Sequence, residues 1–99
     1  MMFNVSISPK AENEIWEHAE FLAKVSPKAA AKLIDLIYSK IFNLDKKANS
    51  YPLFYKDYRK LIVGDRYAVF YKIIETDVNV DRVYDMRMYE YNDIVLDNE

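Results

Sequence analysis

The spacing of the apolar residues changes near residue 58, and this change limits what the chain can fold into. Before it, apolar residues recur every three or four positions in two runs, which places each run along one face of an α-helix. The runs are Ala11, Ile15, Ala19 and Leu22, then Ala30, Ile34, Ile37, Ile41 and Leu44. Each run follows a Ser-Pro pair, Ser8-Pro9 or Ser26-Pro27, and serine and proline both favour a helix start. We therefore predict two amphipathic helices joined as an antiparallel hairpin.

Other segments alternate apolar and polar residues as β-strands do. Strands are predicted for residues 2–7, 58–63, 67–74 and 78–86, and residues 45–57 are predicted as a loop with room for one helical turn. Gly64-Asp65 is predicted to form a type II′ turn, because glycine can take the positive φ of its first central position. The order β-α-α-β-β-β predicts an α+β fold, with a helical hairpin packed on one face of a small, mainly antiparallel sheet.

Composition excludes several classes of site. The 99 residues include no cysteine and one histidine, which excludes disulfides, a thiolate nucleophile, a Cys-ligated zinc site and a histidine pair. The N-terminus lacks the features of a signal peptide, and no apolar stretch approaches the ~18 residues of a spanning helix. We therefore expect a cytoplasmic protein that needs no cofactor or metal.

Charge is unevenly distributed although the net charge is only −2. Residues 48–74 carry five basic and two acidic residues, whereas residues 75–99 carry two basic and eight acidic ones. A basic middle next to an acidic end is consistent with a binding surface for a charged partner. It is equally consistent with solvated strand faces followed by a solubilising tail, and both interpretations stay open.

The order of these motifs resembles the RelE/ParE superfamily, the toxins of bacterial type II toxin–antitoxin systems. The most specific stretch is YRKLIV at residues 58–63 followed by RYAVFY at residues 66–71, and the helix starts SPKAE and SPKAA resemble those of ParE-like members. The resemblance covers roughly residues 5–89. It implies a single toxin domain over residues 1–99, neutralised by a cognate antitoxin. Residues 88–99 would be either short secondary structure or a flexible tail that a partner orders.

The resemblance implies three alternatives for function. ParE-like members inhibit growth through a protein–protein contact with DNA gyrase. RelE-like members cut mRNA on the ribosome without a metal. A degenerate member would keep the fold and antitoxin binding but would not harm the cell.

The residues needed for RNA cleavage are only partly present. In a RelE-like member the catalytic residues would be Arg59, Arg87 and Tyr89, with Lys60 and Arg66 supplying further charge. The arginine expected in the middle strand falls on Ala68, and another of the expected basic positions falls on Leu61. Because losing one such electrostatic group typically costs ~10²–10³ in rate, the sequence favours the ParE-like alternative.

The predicted central strand has one side for the core and one open side. Its core side would carry Tyr67, Val69, Tyr71 and Ile73. Its open side would carry Ala68, Phe70 and Lys72, beside Arg59 and Leu61 of the neighbouring strand. An open face that is both apolar and basic is typical of a partner surface, so the predicted binding residues are Lys60, Leu61, Arg66, Phe70 and Lys72. The alternative is that the C-terminal tail folds back over this face.

The single histidine and the exposed tyrosines have plainer interpretations. His18 lies off the apolar stripe, four residues after Glu14, and is expected to be a solvated helix residue. Tyr51, Tyr55 and Tyr89 fall in segments expected to be exposed, where base stacking is the alternative to a structural role.

Overall fold

The computed structural model describes residues 2–87, which contain three helices and five strands. The helices are α1 (Pro9–Ala23), α2 (Pro27–Phe42) and the single turn α3 (Leu44–Lys47), which a 3₁₀ turn follows at Ala48–Ser50. The strands are β1 (Asn4–Ile7), β2 (Leu53–Tyr55), β3 (Tyr58–Val63), β4 (Tyr67–Ile74) and β5 (Asp77–Asp85). The prediction for residues 88–99 lies outside the described residues.

The five strands form one mixed sheet in the order β1-β5-β4-β3-β2. β1 pairs with β5 in parallel, with Val5 opposite Val78, whereas the other three strand pairs are antiparallel. The last strand of the described chain therefore lies between the first strand and β4. The predicted α+β fold, with a helical hairpin on one face of a mainly antiparallel sheet, is confirmed.

Both long helices begin at the predicted Ser-Pro pairs. The Ser8 hydroxyl accepts a hydrogen bond from the Ala11 amide at 3.0 Å, and the Ser26 hydroxyl accepts one from the Ala29 amide at 3.1 Å. A proline follows each serine at the start of the helix. These bonds satisfy amides that have no partner inside the helix, which is why the helices start at these positions.

The predicted apolar stripes of the helices enter the core, although Leu22 at the end of the α1 stripe is only half-buried. The buried residues of α1 are Ala11, Ile15 and Ala19, and those of α2 are Ala30, Leu33, Ile37 and Ile41. Ile34 is only half-buried, so the stripe of α2 turns toward Leu33. Leu44 is fully buried as predicted, but it belongs to α3 and not to α2.

The predicted core side of β4 packs against the helices. Tyr67, Val69 and Tyr71 are buried in the cluster that contains the helix stripes, and Ile73 packs at its edge. The Tyr71 hydroxyl donates a hydrogen bond of 2.6 Å to the carbonyl of Ala48. Burial raises the pKa of Tyr71 to about 12, so its hydroxyl keeps the proton that this bond requires.

The turn between β3 and β4 differs from the prediction. Gly64 and Asp65 have φ angles of 61° and 62°, and the Arg66 amide donates to the Val63 carbonyl at 3.2 Å. Positive φ at both central residues is the signature of a type I′ turn, so the type II′ prediction is wrong. Type I′ matches the twist of the flanking strands, and aspartate is among the few residues that tolerate positive φ.

The predicted loop over residues 45–57 contains the expected helical turn, α3, but also a short strand that was not predicted. β2 pairs with β3 at the edge of the sheet. All three of its residues are exposed, with no buried position between exposed ones. Because strands are recognised in sequences by alternation between a buried and an exposed side, this strand leaves no such signal.

Candidate functional site

On the sheet face opposite the helices, side chains of neighbouring strands pack on one another and bury part of the face. Tyr58, Ala68 and Phe70 are fully buried there in a second cluster, against which Tyr84 packs. The ring of Phe54 in β2 lies 5.1 Å from that of Phe70, centroid to centroid. Phe70 lies on the predicted face, but the prediction that it is an exposed contact residue is wrong.

Arg59 and Leu61 lie on the side of the sheet opposite to the predicted one. In the β3–β4 register Leu61 pairs with Val69 and Arg59 pairs with Tyr71, and paired residues project to the same side. Leu61 is 1% exposed in the main core, so its predicted place on an open binding face is wrong. The error is a shift of one residue between the strands, which exchanges the two faces.

The Arg59 side chain supports the backbone before β2. Its Nη1 donates a hydrogen bond of 2.6 Å to the Tyr51 carbonyl, and the side chain is half-buried. This contact gives Arg59 a structural role whether or not it has another. Of the tyrosines considered for base stacking, Tyr51 is half-buried, Tyr55 is exposed, and Tyr89 lies outside the described residues.

The basic side chains on the open face lie over aromatic rings. The Lys60 ammonium is 4.5 Å from the centroid of the Phe54 ring, and the Lys72 ammonium is 5.0 Å from that of Tyr58. Lys72 therefore occupies the predicted face. Lys60 lies there as well, because it pairs with Phe70 and the sides of β3 are the reverse of the predicted ones. Cation–π contacts hold both side chains.

Arg66 and Arg87 meet at one carboxylate where β5 ends. Nε and Nη2 of Arg66 donate to the same Asp85 oxygen at 3.1 and 2.9 Å. The Arg87 amide donates to the other Asp85 oxygen at 2.9 Å, and its Nε lies 3.9 Å from that oxygen. Burial alone would raise the pKa of Asp85, but the hydrogen bonds and charges of the two arginines outweigh it and lower the pKa.

Replacing Asp85 is expected to change how stability depends on pH. A lowered pKa in the folded state adds stability above the unfolded value of about 4, and this contribution is lost as pH falls from there through the folded pKa. We expect Asp85→Asn to cost about 1–2 kcal/mol at pH 7 and progressively less below pH 4. Urea unfolding between pH 3 and pH 7 measures this. Asp65→Asn, at an exposed turn position, is the control, and equal pH profiles for the two variants would contradict the role given to Asp85.

Polar side chains of α1 replace a neighbouring strand along the outer edge of β5. The β1–β5 pairing ends at Val80. Beyond it, Glu14 Oε1 accepts from the Val83 amide at 2.7 Å, and His18 Nε2 donates to the Val83 carbonyl at 2.9 Å. The other Glu14 oxygen accepts from Nε and Nη2 of Arg82 at 2.9 and 2.6 Å. The prediction that His18 is a solvated helix residue is therefore wrong.

An open cavity of about 630 Å³ lies beside these contacts, between α1 and the end of the sheet. Its lining residues are Glu17, His18, Phe21, Arg66, Tyr67, Asp85 and Arg87. The His18 and Tyr67 rings contact each other with centroids 5.2 Å apart. Sequence reasoning did not identify this cavity, although Glu14, His18 and Phe21 follow at spacings of four and three and so share one helix face.

A match to a known protein family identifies the family of this chain. Residues 5–89 match the sequence profile of the family described as "ParE toxin of type II toxin-antitoxin system, parDE". The chain belongs to the ParE toxin family. The predicted membership of the RelE/ParE superfamily is confirmed, and the toxin is that of a type II toxin–antitoxin system.

Two solved structures share the fold of this toxin at low sequence identity. The chromosomal ParDE toxin–antitoxin system from P. aeruginosa is 16% identical with a TM-score of 0.74, and the match covers 85% of the toxin and 96% of that chain. The RelBE2 toxin–antitoxin complex from Mycobacterium tuberculosis is 16% identical with a TM-score of 0.57, and the match covers 86% and 99%. No curated protein sequence gives a significant match.

Two kinds of feature are absent from residues 2–87 of the toxin. No helix in this part of the chain is long and apolar enough to cross a membrane. Within the same residues, no group of three acidic or histidine side chains is placed to hold a metal ion.

Proposed function

We propose that this toxin stops bacterial growth by binding an essential protein, with DNA gyrase as the first candidate, and that a cognate antitoxin neutralises it. The observation that carries the proposal is that the basic residues that RNA cleavage would need do not all converge on one point, and that the two that meet, Arg66 and Arg87, do so at a carboxylate of the chain itself. Arg59 lies on the helix-facing side of the sheet, Lys60 lies on the opposite face, and Arg66 shares the Asp85 carboxylate with Arg87.

Dispersed cations do not suit phosphate chemistry. Stabilising the extra negative charge of a cleavage transition state requires preorganised donors that converge on one point. Here an alanine, Ala68, stands in the middle of the open face, and it is fully buried. Arg59 and Arg66 are already engaged with a carbonyl and a carboxylate of the chain itself.

The antitoxin part of the proposal rests on the family and on the solved relatives. The family is that of the toxin in a type II toxin–antitoxin system. The similar structures are a ParDE system and the RelBE2 toxin–antitoxin complex. The gyrase part rests on the resemblance to ParE-like members, which act through a protein contact and need no set of catalytic cations.

Controlled expression in a bacterium tests the target. We expect growth to stop, a reporter plasmid to become relaxed, and a translated message to stay intact in primer extension. We also expect the purified toxin to inhibit supercoiling by gyrase in vitro. Co-expression of the protein encoded next to the toxin gene should restore growth.

Substitution of Arg87 separates the proposal from RNA cleavage. The Arg87 side chain is 65% exposed, so Arg87→Ala should leave the fold intact, and Lys28→Ala on the exposed surface of α2 is the matched control. Codon-phased cuts in the message that disappear in Arg87→Ala but persist in Lys28→Ala would overturn the gyrase proposal in favour of a ribosome-dependent nuclease. Arg59→Ala is a poor probe, because it also removes the contact with the Tyr51 carbonyl.

Growth that continues despite abundant folded toxin would overturn the proposal in another direction. It would identify the chain as a binding-only member of the family. Circular dichroism of the purified protein establishes that the toxin is folded in that case.

A further inference from the structure

Three aromatic side chains lie together on the surface where α1 and α2 meet. Trp16 of α1 is the only tryptophan of the 99 residues and is 53% exposed, and Phe42 of α2 is 51% exposed. The ring of Tyr38 stacks on that of Phe42 with centroids 6.1 Å apart, and the Trp16 indole lies beside the Tyr38 hydroxyl. We call these three residues the aromatic ridge. Tryptophan and tyrosine are over-represented among the residues that dominate the energy of protein contacts, so an exposed ridge of this kind indicates a partner surface.

Contacts between the two helices hold the ridge in place. The Tyr38 hydroxyl donates a hydrogen bond of 3.3 Å to Glu12 Oε2 on α1. Burial and the charge of Glu12 raise the pKa of Tyr38, and the Trp16 indole only partly offsets them, so the hydroxyl keeps the proton that this bond requires. Because the rings are already placed, binding a partner costs little further conformational entropy.

The ridge is separate from the surfaces that the chain uses for its own contacts. Trp16 lies two residues from both Glu14 and His18, so it projects away from the edge of β5 and from the cavity beside it. The open face of the sheet is partly buried by its own side chains, and its Lys60 and Lys72 lie over aromatic rings of that face. A partner can therefore bind the ridge without disturbing these contacts.

The charged residues that share the helix faces of the ridge are acidic. They are Glu12, Glu20 and Asp35, and all three are exposed. Each lies three or four residues from a ridge residue, the spacing that places two side chains on one helix face. Lys40 is the basic residue nearest to the ridge in the sequence of α2, but it lies two residues from both Tyr38 and Phe42 and so projects to another side. The ridge is therefore an aromatic surface between carboxylates.

This chemistry discriminates among occupants. Nucleic acid is repelled, because its phosphates carry the same sign of charge as the carboxylates. A second copy of the toxin that bound ridge to ridge would bring the carboxylates of both copies together, which charge repulsion opposes. A basic segment of another protein fits, since arginine stacks on aromatic faces and pairs with carboxylates, and lysine makes weaker forms of both contacts.

We propose that the aromatic ridge is the surface through which the toxin binds its growth target, and that the target presents a basic segment whose arginine or lysine side chains lie between the rings and the carboxylates. This inference rests on the proposed function, because it requires a protein target. It adds which surface of the toxin makes the contact and which chemistry the target offers.

Loss of the tryptophan tests the ridge with purified gyrase. Trp16→Ser should raise the toxin concentration that half-inhibits supercoiling by about 30-fold or more, as the loss of an interface anchor does. Leu53→Ser is the matched control, because Leu53 is 62% exposed on β2 and lies outside the helical hairpin. It should change that concentration by less than about threefold. Circular dichroism and urea unfolding establish that both variants are folded.

Charge reversal tests the carboxylates in the same assay. Glu20→Lys places a cation one helical turn after Trp16 and should weaken inhibition about tenfold at low salt, with a smaller effect as salt screens the charges. Asp57→Lys makes the same reversal at an exposed position between β2 and β3. Because both variants change the net charge equally, equal effects would mean that overall charge, and not the ridge, governs binding.

Growth of cells that express each variant extends the test to targets other than gyrase. Folded Trp16→Ser that no longer stops growth, while Leu53→Ser still does and the message stays intact, supports the inference for any essential protein. Folded Trp16→Ser that stops growth at the same inducer level as wild type overturns the inference and leaves the proposed function in place. Wild-type toxin that does not stop growth overturns both.

Two further outcomes would assign the ridge to another occupant and overturn the inference. One is that Trp16→Ser weakens only the complex with the protein encoded next to the toxin gene, while growth arrest is unchanged. The other is that the wild-type toxin forms concentration-dependent dimers that Trp16→Ser abolishes, again with unchanged growth arrest. Calorimetry measures the first and analytical ultracentrifugation the second.

Discussion

Glu14→Ala is expected to lower the free energy of unfolding by about 3 kcal/mol. Glu14 and Arg82 form a pair in which the side chains are only 15% and 12% exposed, with atoms 2.6 Å apart. Removing one partner of a poorly solvated pair leaves the other charge without its compensation. The same substitution removes the acceptor of the Val83 amide at the edge of β5. Urea unfolding of the two proteins at pH 7 measures the difference.

Two related variants separate the charge from the hydrogen bond. Glu14→Gln keeps an oxygen for the Val83 amide but loses the charge that faces Arg82, so its cost should lie between those of wild type and Glu14→Ala. Glu20→Ala is the control, because Glu20 is exposed on the same helix. If all three substitutions cost the same, Glu14 does not hold α1 against the edge of β5.

Ile37→Ala is the second substitution with a large expected effect, about 3 kcal/mol. Ile37 lies on α2 with no exposed surface, inside the cluster that joins both helices to the sheet. Truncating it removes buried apolar surface and leaves a cavity that a close-packed core fills only partly. Since a domain of this size is stable by only about 5–15 kcal/mol, the change should also reduce the amount of toxin in cells.

The neighbouring residue gives a matched control for this substitution. Leu36 precedes Ile37 in the same helix but is 41% exposed. Leu36→Ala should therefore cost well under half as much in the same unfolding assay. Both substitutions gain helix propensity, so equal losses would mean that burial of Ile37 in the core does not set the stability of α2.

Much of the fold was predictable because its signals are local. The Ser-Pro pairs at Ser8 and Ser26 determine where two helices begin, and the bonds to Ala11 and Ala29 depend on side chains three residues apart. The bounds of β3 and β4 were predicted at the residues where the structure has them. Periodicity carries this information in a single sequence, without knowledge of what lies across the sheet.

The faces of β3 were not predictable in the same way. A strand has two sides that differ by one residue, and only pairing with β4 decides which side meets the helices. Arg59 and Leu61 were therefore placed on the open face, whereas their partners Tyr71 and Val69 bring them to the helix side. The same error made a buried leucine a predicted binding residue.

The contacts of α1 with β5 escaped prediction for a different reason. Glu14 and His18 were recognisable as residues on one helix face, but their partners Arg82 and Val83 lie more than sixty residues away in sequence. Only the tertiary structure shows that the pairing of β5 with β1 ends at Val80 and that side chains of α1 bond the β5 edge beyond it. The cavity beside Phe21 likewise forms where α1 lies next to the end of the sheet.

The position of β5 between β1 and β4 also determines the stage of synthesis at which the toxin can fold. Among the strands of residues 2–87, β1 pairs with β5 alone, and Glu14 and His18 cover the edge of β5, so these contacts form only after β5 has been made. At ~5–20 residues per second, a ribosome needs roughly 4–16 s to pass from the start of β1 to the end of β5. Throughout that time the growing chain lacks a strand from the interior of its sheet. A message cut or abandoned before β5 therefore yields a fragment without the toxin fold, and we expect proteases to remove it.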